Sequence, residues 1–107
     1  MKLEKTVYDV VVATVADYGR MKKMLDKGNL SKNQAVEITR KLDAVDNALV
    51  TVCDGEAEEA IEALRYDIAH RNGFEYATSK GYYTSRGTYD KRKSDAIVLI
   101  AKLMSLI

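Results

Sequence analysis

The chain has 107 residues, 47% hydrophobic and 31% charged, with no proline and a formal net charge of +1. That is room for one core but not for a cofactor domain beside a substrate domain, and the mixture is too apolar for a disordered segment and too charged for a membrane protein. A single cysteine, Cys53, and a single histidine, His70, exclude an internal disulfide and a Cys/His zinc set.

Apolar runs such as 10–16 and 96–101 fall far short of the roughly 18 residues that a spanning helix needs. Met1-Lys2-Leu3-Glu4-Lys5 carries both signs of charge and does not read as a signal peptide. The expectation is a cytoplasmic chain with no membrane partner.

Taken in order, the segments carry helical periodicity. Val7, Val11, Val15, Tyr18, Met21 and Leu25 recur at spacings of three or four, which predicts one helix over about 3–27 despite the β-branched triplet at 10–12. Gly28 and Asn29 end it, because glycine takes the left-handed conformation without a Cβ clash. Ser31 followed by Gln34 is a capping box and opens the next helix. Along that helix Ala35, Ile38, Leu42, Val45, Leu49 and Val52 form a strict heptad-like seam. The seam either packs on the first helix as a hairpin or also pairs with a second copy, which leaves a homodimer open.

Asp54 then reads as an N-cap, with Glu56, Glu58 and Glu59 in the first turn where the helix dipole favours anions. Ala57, Ile61, Leu64 and Ile68 follow on one side, and Asn72-Gly73 stops the helix. Residues 74–84 are glycine-bounded and aromatic: a short helix at about 74–80 is the preferred reading and a small β-hairpin around Ser79-Lys80-Gly81 the alternative. Six of the eight aromatics lie within 66–89 and are expected to build a small core. Phe74 and Tyr66 are its expected packing members, with one of Tyr82 and Tyr83 exposed. Ser85 caps a last helix running to the C-terminus, with Tyr89, Ala96, Ile100, Leu103 and Ile107 as its seam and Thr88, Lys91, Arg92 and Asp95 opposite.

Charge is uneven. Residues 80–93 hold five cations, Lys80, Arg86, Lys91, Arg92 and Lys93, against the single acid Asp90. A capped helix N-terminus offers free backbone N–H groups to phosphate, and Arg or Lys in its first turns can reach base edges. By contrast, Cys53 and His70 are not oriented towards each other by anything local, and Gly73, Gly81 and Gly87 do not form a phosphate loop. No enzymatic activity, cofactor or metal is expected.

The stretch Thr84-Ser85-Arg86-Gly87-Thr88 through Arg92, then Ala96-Ile97 and Leu99-Ile100-Ala101-Lys102-Leu103, resembles the recognition helix of sigma-factor (sigma-70) region 4-like helix-turn-helix domains. Upstream, Glu62-Ala63-Leu64-Arg65-Tyr66 is similar to the glutamate-leucine-arginine-tyrosine entry of those domains. Late regulators of phages, of the ArpU and RinA type, join such a domain to a helical N-terminal region. The resemblance covers residues 62–107. Residues 67–83 depart from it, carrying tyrosines and Lys80-Gly81 where the family has an isoleucine-alanine pair and a leucine-glycine turn.

It implies a sequence-specific regulator of transcription that contacts double-stranded DNA, with RNA polymerase as a further partner. Ser85, Arg86, Thr88, Lys91 and Arg92 would face the DNA, and Lys93 would contact its backbone or lay its stem along the apolar side. The fold expected is all-α: a helical hairpin over 1–53, which is also the candidate oligomerisation region, and a helix-turn-helix-like DNA-binding region over 54–107. A small helical module that binds another protein, without DNA, is the rival function.

Overall fold

The computed structural model describes residues 2–107, and among these the secondary structure is entirely helical. The segment expected as one long helix is two: α1 (Lys5–Ala16) and α2 (Tyr18–Lys27), parted at Asp17. There the Asp17 N–H is shared between the carbonyls of Ala13 and Thr14, at 3.0 and 3.2 Å. The two pieces have different partners. Tyr18, at the start of α2, turns inward and donates its hydroxyl to Asp46 at 2.6 Å, so α2 packs on α3 (Lys32–Val52) while α1 packs on α4 (Glu58–His70) and α6 (Arg86–Leu103). The hairpin is therefore α2 with α3, and α1 stands outside it.

Gly28, at φ 70°, closes α2, and the Ser31/Gln34 capping box opens α3 with both reciprocal hydrogen bonds made. On α3 the seam residues Leu42, Val45 and Leu49 are buried, and Ala44 and Ala48 beside them widen the stripe. That stripe is consumed inside the molecule, against α2, α4 and α6. The seam is thus not the free surface that pairing with a second copy would need.

α4 begins after Ala57 rather than at an Asp54 cap; Asp54 and Gly55 lie in the turn before it. It ends with Arg71 in the left-handed conformation, φ 55°. Residues 74–84 contain no strand: α5 (Phe74–Ser79) is a short helix. α6 stops at Leu103, and Ser105 at φ 61° turns the chain away. Leu103 and Ile107 consequently leave the expected seam and are exposed, whereas Ile97 and Ala101 are buried.

α6 runs antiparallel to α3. Near one end of the pair Arg40 donates to the Met104 carbonyl at 3.2 Å, and near the other Arg92 meets Glu56, just beyond the end of α3. Buried residues from Val11 to Ala101 belong to one cluster, to which 1–53 and 54–107 both contribute. No helix is long and apolar enough to cross a membrane among the described residues.

Candidate nucleic-acid interface

The candidate interface rests on how α5 and the turn after it are pinned between α4 and α6. α5 begins after Gly73, whose φ of 90° favours a residue without a Cβ. It ends at Ser79, and at Gly81, φ 113°, the chain folds back so that the Tyr82 N–H donates to the Ala77 carbonyl at 2.9 Å. Ala77, Tyr82 and Tyr89 are completely buried. The Tyr89 ring meets Tyr82 edge-on at 5.1 Å and Phe74 at 5.4 Å, geometries that aromatic quadrupoles favour. Tyr83, next to buried Tyr82, points to solvent.

A buried carboxylate ties this unit together. Asp67 of α4 accepts hydrogen bonds from the Tyr89 hydroxyl at 2.5 Å, the Gly73 backbone N–H at 2.7 Å and the Lys93 ammonium at 3.1 Å. Burial alone would raise its pKa, but these three donors and the Lys93 charge outweigh it and hold the carboxyl below the usual aspartate value. A second tie crosses to the loop between α3 and α4. The Arg92 guanidinium donates to Glu56 at 2.8 Å and to the Tyr82 hydroxyl at 2.9 Å, and the thiol of buried Cys53 lies 3.5 Å from that same hydroxyl. Burial, with the Cys53 contact adding to it, pushes Tyr82 up to about 12.

These ties divide the six residues that sequence grouped as DNA contacts. Ser85 is the N-cap of α6, accepting from the Thr88 N–H at 3.3 Å and donating its hydroxyl to Thr88 Oγ1 at 2.9 Å. Ser85, Arg86, Thr88 and Lys91 are all exposed. Arg92 and Lys93 are turned inward: the Arg92 side chain is 28% exposed against 77% for neighbouring Lys91, and both Arg92 and Lys93 are engaged by acids from distant segments. The outer residues have local partners too, Arg86 with Asp90 at 3.7 Å and Lys91 with Asp95 at 2.7 Å. Such exposed pairs at one helical turn are weak and exchange readily for other anions. The local cationic excess read over 80–93 is accordingly smaller at the surface than in the sequence.

Tyr66, expected in the small core, lies on the surface instead. It stacks on His70 at 6.0 Å, and the Arg65 guanidinium sits 5.4 Å from its ring centre and 4.1 Å from that of Tyr18. Sequence reasoning missed Asp67 and Glu56 as anchors. The one available signal was that Asp67 adjoins Ile68 on the apolar side of its helix, where an acid needs a partner. No group of three or more His, Cys, Asp or Glu among the described residues is arranged to hold a metal. No protein-family model matches the chain, and no curated protein or solved structure matches it either.

Proposed function

We propose that the chain binds double-stranded DNA through the first turns of α6 and acts as a sequence-specific regulator of transcription, of phage or prophage type. One observation carries the reading: α4, α5 and α6 are locked around Ala77, Tyr82 and Tyr89 so that the capped start of α6 projects with Ser85, Arg86, Thr88 and Lys91 exposed. A recognition helix needs this combination, a rigid seat and a free N-terminal face.

Phosphate contacts from Arg86 and Lys91 supply affinity that falls with salt, and contacts to base edges supply sequence choice. Fluorescence anisotropy of a labelled mixed-sequence duplex, titrated at two salt concentrations, tests this. Binding should weaken steeply with salt, and Arg86→Ala or Lys91→Ala should each make the slope shallower by about 1. Absence of salt-dependent binding by the parent chain sinks the proposal. It would favour the second reading, a module that binds another protein, for which one observation speaks: Asp90 and Asp95 share the exposed face of α6 with the cations and lower its net charge.

A further inference from the structure

The buried stripe of α3 leaves its opposite face without a partner. Val36, Arg40, Asp43, Asn47 and Val50 follow one another at four, three, four and three residues, and all are exposed. Val36 is 60% and Val50 58% exposed, both large apolar side chains held in water. Val36 and exposed Leu103 line a groove of about 370 Å³ between α3 and the end of α6, floored by Ala44.

Charge along this helix is polarised. Residues 32–41 carry Lys32, Arg40 and Lys41 against Glu37, whereas 42–52 carry Asp43 and Asp46 and no Lys/Arg. The change of sign falls between Lys41 and Asp43, at the middle of α3. Two α3 helices side by side in the same direction would set like charges against each other. Side by side in opposite directions, each basic half faces an acidic half.

We infer that two copies of this chain associate across a two-fold axis passing near Asp43, with their α3 helices antiparallel. The spacing is self-complementary, as an isologous interface requires. Val36 and Val50 lie seven residues either side of Asp43, so each Val50 enters the groove formed by Val36 and Leu103 of the other copy. The two Asp43 carboxylates then meet at the axis, flanked on either side by the Arg40 side chains of the two copies, each one helical turn away. Unlike the seam on the inner side of α3, this face is exposed, with Arg40 held by the Met104 carbonyl at 3.2 Å and by Glu37 at 3.8 Å, and the α6 N-terminus proposed for DNA lies towards the other end of the α3/α6 pair from the Val36–Leu103 groove. The two surfaces therefore do not compete.

Sedimentation velocity without DNA, at micromolar concentration and above, tests the pairing apart from any question of DNA binding. The parent should sediment at twice the 12.0 kDa chain mass. Arg40→Glu, which flanks the Asp43 pair with acids, should shift it at least tenfold in concentration towards monomer, and Arg40→Glu combined with Asp43→Arg should restore the dimer. Val50→Glu provides an independent break at a residue that supports no internal packing, with circular dichroism checking that it folds. A parent that stays monomeric, or a dimer indifferent to both Arg40→Glu and Val50→Glu, overturns the inference.

Discussion

Between α2 and α3 the contacts are apolar with one polar tie, Tyr18 to Asp46, whereas α4 and α6 are joined through a carboxylate with no exposed surface. The difference lies in what happens when a contact is imperfect. An apolar pair that separates slightly loses a fraction of its dispersion energy. A buried charge that loses one donor keeps the whole cost of its desolvation. The α2–α3 hairpin can therefore tolerate small shifts, while Asp67 admits one arrangement of Tyr89, Lys93 and Gly73. Rigidity is placed beneath the exposed start of α6, where a recognition surface would use it.

Removing Asp67 is the severest test of that contrast. Asp67→Ala should cost about 3–5 kcal/mol in thermal or urea unfolding, because it strands the Lys93 ammonium and the Tyr89 hydroxyl. Leu49→Ala, in the fully buried apolar stripe of α3, should cost about 2–4 kcal/mol, close in size but different in kind.

Acid separates the two. With its folded pKa lowered, Asp67 contributes stability that is fully present above the unfolded value of about 3.9 and is lost as pH falls through the folded pKa. Asp67→Asn should flatten that acid limb, and Leu49→Ala should leave its shape unchanged. Equal acid limbs in the two variants would show that Asp67 is not the titrating anchor.

Smaller effects come from adjacent cations on α6. Arg92→Ala should lose about 1–2 kcal/mol through its bonds to Glu56 and Tyr82, whereas Lys91→Ala should stay within about 0.5 kcal/mol. A reversal of that order in melting experiments would remove Arg92 from the scaffold and return it to the candidate DNA contacts.

Much of the fold was legible where the signal is local. The Ser31/Gln34 box and the Ser85 cap involve residues three apart, and Gly28 needs only its own backbone. The break at Asp17 has no capping box, and Tyr18 beside it is bonded to a residue 28 positions away. Arg92 is the same case in the candidate site. A 100° step along the helix assigns it to the polar side, but Glu56 comes from 36 positions upstream and Tyr82 from a turn whose course depends on Gly81. Arg86 and Lys91, whose partners lie on their own helix, were readable as surface cations.

With only six residues, α5 is far below the roughly 12–15 that let a helix persist alone in water. Its order is borrowed from Asp67 on one side and from Tyr82 and Tyr89 on the other. Amide hydrogen exchange in α5 should therefore proceed only through openings that undock α6 from α4, and exchange at Ala77 becomes a clock for that undocking.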